Sequence, residues 1–227
     1  MSETKKKIKS ICIDTLTGIQ NEEYMRDRKK PGFDKFFDYG QNIYTFISDL
    51  QRLGFTLVLV LGEPGTGKST GMRTLEPGTN IWYNADNKNP VWIGGNQEYG
   101  KKNAPKAPYH VIPTSYKDII DHIEGGLKAG MFEEDRYAII TGHIENYKSG
   151  YENMQRLKVL GNMATKMQLE GKLESVLYSK IDKEGTNVKY LLETQNNGFN
   201  TARSPQGLFE PTIENDYKFI LDKLSQF

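Results

Sequence analysis

Thr56-Leu57-Val58-Leu59-Val60-Leu61-Gly62-Glu63-Pro64-Gly65-Thr66-Gly67-Lys68-Ser69-Thr70 is the stretch that decides how this chain is read. Its first six residues form an unbroken, mostly apolar run, the pattern of a strand buried on both faces of a parallel sheet. The next eight match G-x-x-x-x-G-K-[ST] in full. Gly65 and Gly67 free the backbone to turn its amides inward around phosphate oxygens. Thr70 to Leu75 is expected to open a helix whose positive end points the same way. The loop Gly62, Glu63, Pro64, Gly65, Thr66, Gly67, Lys68, Ser69 and Thr70 is therefore expected to cradle ATP. Lys68 would reach the β- and γ-phosphates, and the Ser69 hydroxyl would ligate Mg²⁺.

Such a loop works with a carboxylate at the end of a neighbouring strand. Ile11-Cys12-Ile13-Asp14 has that form: three apolar residues bury a strand and Asp14 emerges from its carboxyl end. This reads as a Walker B strand with Asp14 as second metal ligand, against the plainer reading of an Asp that caps a turn. Tyr137 to Thr141 is another apolar strand, followed by Gly142-His143-Ile144-Glu145. Thr141 or His143 is a candidate to sense the γ-phosphate, and Glu145 to orient the attacking water. Asp86, just beyond the apolar Ile81 to Tyr83, is a further candidate carboxylate.

The rest of the chain bounds these readings. With 227 residues, 37% of them hydrophobic and 26% charged, the chain is long and apolar enough for a folded core. Its apolar runs stay far below the ~18 residues of a membrane span. Met1 to Lys9 is polar and lysine-rich, so no secretory signal is read and a cytoplasmic location is expected. The single cysteine, Cys12, excludes an internal disulfide and reads as a buried thiol. A net charge of +1 does not announce a nucleic-acid binder. Basic clusters at Lys5-Lys6-Lys7, Arg26 to Lys30 and Lys101-Lys102 read first as solvated surface.

Apolar runs alternate with helical periodicity, which predicts an α/β fold. Strands are expected at Ile8–Ile13, Thr56–Leu61, Ile81–Tyr83, His110–Ile112 and Tyr137–Thr141. Ser175–Ile181 and Val188–Thr194 read as a pair around the turn Asp182 to Asn187. Phe36, Tyr39, Ile43, Phe46, Ile47, Leu50 and Leu53 recur at helical spacing and predict a helix over Asp34–Leu53. Ser115 with Asp118 resembles a capping box ahead of Ile119, Ile120, Ile123 and Leu127. The second part of Met154–Leu173 and Asp216–Leu224 are also expected to be helical. Residues 84–109, 146–153 and 195–211 carry little periodicity and read as irregular.

Several segments together resemble one family: phage-encoded ATP-binding proteins with a RecA-like or AAA-type core, some classed as single-strand annealing recombination proteins. The phosphate loop, Ile11 to Thr15, Glu22-Glu23-Tyr24-Met25, Gly32 to Phe36 and Thr141 to Glu145 carry the resemblance. So do Leu192-Glu193-Thr194-Gln195-Asn196-Asn197-Gly198, Thr201-Ala202-Arg203-Ser204-Pro205 and Gly207-Leu208-Phe209. In that family the phosphate loop precedes the Walker B strand, whereas here Asp14 precedes Lys68. Residues 5–55 read as a block that belongs between Arg136 and Tyr137. The resemblance implies one P-loop domain over 1–227 in three blocks, 5–55, 56–136 and 137–227. It has a mainly parallel sheet flanked by helices, a C-terminal β-hairpin and a C-terminal helix. The phosphate-loop strand and the Asp14 strand would flank the strand Tyr137–Thr141, with rewired connections near Gly54-Phe55 and Asp135-Arg136.

The function implied is a Mg²⁺-dependent ATPase acting on single-stranded DNA in phage recombination or replication. Lys68, Asp14, Glu145 and Arg203 would be catalytic, Arg203 as an arginine finger supplied to a neighbouring subunit of a homo-oligomer. Tyr147, Lys148, Tyr151 and Arg156 interleave aromatic and basic side chains as a single-strand binder does. Trp82 and Trp92 are candidates to stack on adenine, core packing being the plainer role for Trp82. The alternatives are a P-loop small-molecule kinase and a non-hydrolysing, ATP-dependent interaction switch.

Overall fold

The computed structural model describes residues 6–27, 29, 34–160 and 169–227. Residues 161–168, where a helix is expected, lie outside them, as do Lys5, Arg28, Lys30 and the Gly32-Phe33 part of the resemblance. In chain order the first elements are β1 (Ile8–Asp14), α1 (Leu16–Asp27), α2 (Asp34–Arg52) and β2 (Phe55–Leu61). Then come β3 (Asn80–Asn84), α3 (Gly95–Tyr99), β4 (Gly100–Lys101), β5 (Ala104–Pro105), β6 (His110–Val111) and α4 (Tyr116–Lys128). The chain continues through β7 (Phe132–Gly142), β8 (Ile144–Ser149), β9 (Glu152–Leu157), β10 (Ser175–Glu184) and β11 (Asn187–Glu193). It closes with β12 (Thr212–Glu214) and α5 (Tyr217–Leu224). Tight 3₁₀ turns span Lys68–Thr74 and Leu169–Lys172.

The fold is α/β. Eight strands form one sheet in the order β12-β11-β10-β2-β7-β1-β3-β6. From β10 to β6 every pairing is parallel; β11 and β12 add an antiparallel edge. β7 lies at the centre with β2 on one side and β1 on the other.

The side-chain period of two, with both faces covered, explains why the central stretches of β1, β2 and β7 are apolar. Ile11, Ile13, Leu57, Leu59, Leu61, Ala138 and Ile140 face a core that also holds Leu16, Ile19, Ile43, Phe46, Ile47, Leu50, Ile119 and Ile123 of the three longer helices. Cys12, Val58, Val60, Tyr137 and Ile139 face the other way, onto Met72, Tyr217, Ile220, Leu221 and Leu224. Both faces of the sheet are thus covered, and burying one such side chain contributes roughly 1.5–3 kcal/mol. Burial also pushes the Cys12 thiol well above the usual range, with Asp14 adding to the effect. The capping box forms: the Ser115 hydroxyl accepts from the Asp118 amide at the start of α4.

Helix α2 carries the chain from β1 past β7 to β2, and α4 delivers it from β6 to β7. Asp135-Arg136, expected in a connection, instead lies inside β7, which starts at Phe132. The charged run Glu133-Glu134-Asp135 conceals this first third of the strand, because all three side chains are exposed there. Of the second part of Met154–Leu173, the described end is the 3₁₀ turn Leu169–Lys172, while Met154–Leu157 belongs to β9; residues 146–153 are not irregular but hold most of the β8–β9 hairpin. Within residues 84–109 stand α3 and the small β4–β5 ribbon. Among the described residues no helix is long and apolar enough to cross a membrane.

Candidate functional site

Parallel pairing brings the carboxyl ends of β2, β7, β1 and β3 to one edge of the sheet. Leu61 pairs with Gly142, Ile13 with Ile140, and Asp14 with Asn84. Open α/β sheets bind ligands at this edge, where successive connections leave in opposite directions. Here the chain leaves β2 toward β3 and leaves β1 toward β2. A cleft of about 420 Å³ opens at that point, lined by Asp14, Thr15, the loop residues Pro64 to Thr70 except Thr66, Asp86, Lys88, Val91, His143 and Tyr190. Two larger grooves, of about 530 and 710 Å³, lie elsewhere on the molecule and contain no glycine-rich loop.

The loop is held in a fixed shape. Gly65 and Gly67 have φ of 82° and 87°, which disfavour any residue with a Cβ. Thr66 Oγ1 lies 2.6 Å from Ser179 Oγ, which itself donates to the Leu61 carbonyl at 3.1 Å. From the far end of the chain, Asn215 Nδ2 donates to the Gly67 carbonyl at 2.6 Å and the Tyr217 hydroxyl donates to the Lys68 carbonyl. The Tyr190 ring packs directly on Gly67. Among the described residues the amides of Gly65, Gly67, Lys68 and Ser69 have no hydrogen-bond acceptor. Four such N–H groups on one turn form a nest suited to an anion. The expected helix over Thr70–Leu75 is a seven-residue 3₁₀ turn starting at Lys68, too short for a sizeable macrodipole. Any anion would therefore be held by the loop amides and Lys68.

Lys68 is buried, and its ammonium donates to the carbonyls of Gly62 and Glu63 at 2.9 Å each. Burial pushes its pKa down to about 8, with the charge of Lys88 adding and those of Asp14, Glu63 and Asp86 opposing. Ser69 is also buried, and its hydroxyl makes no hydrogen bond among the described residues.

Asp14 is fully buried at the end of β1. Its Oδ1 accepts from the Thr141 hydroxyl at 2.7 Å. Its Oδ2 faces the Lys88 ammonium at 3.2 Å but accepts no hydrogen bond. Lys88 also pairs with Asp86 at 3.1 Å, and Thr15 Oγ1 donates to the other Asp86 oxygen at 3.3 Å. His143 lines the same cleft with its Nδ1 unpartnered, and burial, helped by the charge of Lys68, lowers its pKa. Lys68, Ser69, Asp14, Asp86, Thr141 and His143 thus gather at one place.

Other expected residues lie elsewhere. Glu145 is on β8 and pairs with Arg156 across the hairpin at 2.8 Å, outside the cleft lining. Arg203 donates to the carbonyls of Glu170 and Leu173, while its backbone bridges to Val176. Trp82 is in the core, stacked on His110 with ring centroids 4.5 Å apart, and Trp92 packs against it; neither lines the cleft. Sequence reading missed Lys88, Tyr190, Asn215 and Tyr217. The last two act across separations of 148 and 149 residues, and no local pattern marks them.

The donor set suits Mg²⁺ with a nucleotide. Among the described residues no group of three or more His, Cys, Asp or Glu is arranged for a metal ion. Mg²⁺ in nucleotide sites asks for less, one or two protein ligands alongside phosphate oxygens and water. A free Ser69 hydroxyl and an Asp14 oxygen without a hydrogen bond meet that demand. No protein-family model, curated protein or solved structure matches the chain.

Proposed function

We propose that the protein is a P-loop ATPase of RecA-like arrangement that acts on single-stranded DNA in phage recombination or replication. The observation that carries this reading is the meeting of Lys68, Ser69 and Asp14 in one cleft, although Asp14 precedes the phosphate loop in the chain. β2 and β1 reach that cleft from either side of β7, the placement the resemblance implies for the two motifs.

In this reading the amides of Gly65, Gly67, Lys68 and Ser69 bind the phosphate oxygens of ATP. Lys68 exchanges the carbonyls of Gly62 and Glu63 for phosphate oxygens and neutralises charge that develops during transfer. Ser69 and Asp14 hold Mg²⁺, which when bound supplies Lewis-acid charge at the phosphates. Thr141 fixes the Asp14 carboxylate, leaving His143 as the polar group free to sense the terminal phosphate. Asp86 stands on the cleft wall and is better placed to orient water than Glu145, which Arg156 holds aside. Arg203 is engaged within its own chain, so action in a neighbouring subunit would first require it to leave two carbonyls. A homo-oligomer thus gains no support from that residue.

The DNA half rests on the β8–β9 hairpin. Tyr151 at its tip is fully exposed, Lys148 is exposed beside it, and Arg156 stacks over Tyr147 at 4.4 Å. Aromatic platforms flanked by cations suit single strands of any sequence. The second reading, a non-hydrolysing switch, is favoured by one observation: Lys88 already neutralises both carboxylates.

ATP hydrolysis with and without single-stranded DNA, using Lys68→Ala as control, tests the proposal. DNA-stimulated turnover that vanishes in the variant supports it. ATP binding without turnover refutes the ATPase and leaves the switch.

A further inference from the structure

Lys88 stands where a cation is required. Asp14 is fully buried and ionised carboxylates are not left alone in protein interiors. The Lys88 ammonium supplies the balancing charge, 3.2 Å from Asp14 Oδ2 and 3.1 Å from Asp86 Oδ2.

This placement is built, not fortuitous. Asn84, fully buried at the end of β3, brackets the Lys88 backbone from both sides. Its Nδ2 donates to the Lys88 carbonyl at 2.7 Å, and its Oδ1 accepts from the Lys88 amide at 3.1 Å. Asn84 is held in turn: its Nδ2 lies 3.0 Å from His110 Nε2, and His110 Nδ1 lies 2.8 Å from the Tyr99 carbonyl. The tautomer consistent with both contacts has Nδ1–H donating to Tyr99 and Nε2 accepting from Asn84. A chain of buried groups therefore aims this one lysine into the cleft.

We propose that Lys88 is an internal counter-ion that a divalent cation must displace, so that metal loading swings its ammonium off Asp14 and Asp86. This exchange presupposes Asp14 as a metal ligand, the role proposed for it in the ATPase. The Asp14 oxygen that accepts no hydrogen bond is the one Lys88 faces, and two cations do not share one carboxylate oxygen at 3 Å without strong repulsion, so the metal and the ammonium exclude each other. The released ammonium stays on the cleft wall, where phosphate oxygens are its natural acceptors. The chain thereby holds its acidic residues neutralised until metal and phosphate arrive together.

The test uses Mn²⁺ as probe and no nucleotide. Mn²⁺ binding is measured by electron paramagnetic resonance on the full chain, for the wild type, Lys88→Met, Lys88→Gln, and Lys88→Met with Asp14→Asn. Removing the ammonium should tighten Mn²⁺ binding at least ~10-fold, about 1.4 kcal/mol, and Asp14→Asn should abolish the gain. On the wild type, which needs no altered fold, acetylation of Lys88 followed by mass spectrometry should rise severalfold when Mn²⁺ is added, with Lys101 as internal reference. Unchanged Mn²⁺ affinity in both Lys88 variants overturns the proposal, as does Lys88 acetylation indifferent to Mn²⁺. Neither readout involves ATP, so a failed ATPase assay leaves it standing, and Lys68-dependent turnover does not rescue it.

Discussion

Gly67→Ala separates two physical effects that converge on the phosphate loop. A Cβ there would lie 2.4 Å from the Tyr190 ring, at a φ of 87°. Gly65→Ala is the built-in comparison: its φ is 82°, but a Cβ there meets nothing within 4 Å. The left-handed backbone costs an alanine about 1–2 kcal/mol at either site, offset by about 0.4–1 kcal/mol because alanine stiffens the unfolded chain. Gly65→Ala should therefore destabilise by about 1 kcal/mol. Gly67→Ala carries the same backbone cost plus about 1–3 kcal/mol of overpacking against the ring, for a loss of about 2–4 kcal/mol. Adding Tyr190→Ala should recover the overpacking part and leave the backbone part. Urea unfolding midpoints with m-values read all of these, and the double-mutant cycle gives the coupling. Equal losses for the two glycines, or no rescue by Tyr190→Ala, would refute the packing of β11 onto the loop.

Tyr217→Phe removes the donor to the Lys68 carbonyl and should cost about 1 kcal/mol, with weaker ATP binding by titration calorimetry; unchanged affinity would show that this contact does not shape the loop. Thr141→Val strips the Asp14 carboxylate of its hydrogen-bond donor and should lower stability by about 1–3 kcal/mol, a loss that Asp14→Asn in the same background should lessen in thermal melts. All three histidines have pKa values lowered from 6.5, in each case chiefly by burial. The unfolded chain then binds protons first, so stability is intact above pH 6.5 and falls as the pH drops toward the folded values. Urea midpoints measured on either side of that window should show the fall, and His110→Gln should shallow it; a flat profile would contradict the burial of these rings.

The central strands β1, β2 and β3 are legible because burial on both faces favours apolar residues, whereas the more exposed pair β10 and β11 is legible through the turn Asp182 to Asn187 between two short apolar runs. The helices α2 and α4 were legible through their spacing and the Ser115 cap. β7 was only half read, since its exposed Glu133-Glu134-Asp135 start mimics a loop. α1 escaped because its buried face includes Thr17, Gly18, Gln20 and Glu23, so it carries little apolar rhythm. At the site, the loop and Asp14 announce themselves by local chemistry. Glu145 and Arg203 were assigned from their neighbours in sequence, but their partners, Arg156 and the 3₁₀ turn Leu169–Lys172, come from other segments. Lys88 lies in a stretch of Asn, Lys and Pro whose meaning comes wholly from Asn84 and the two acids it meets.

The order of the strands in the sheet has a consequence for how the protein is made. β1 pairs on one side with β3 and on the other with β7, both synthesised after it. During translation its six-residue Ile8–Ile13 segment waits with both edges unpaired, an adhesive surface of the kind that draws chaperones or aggregates. Asp14 cannot meet Thr141 until the central strand exists, and Asn215 and Tyr217, which clasp the loop, follow every strand of the sheet. Long-range pairing of this kind slows folding. A nascent chain can thus carry its complete phosphate loop, Gly62 to Ser69, well before it has a place in which to use it.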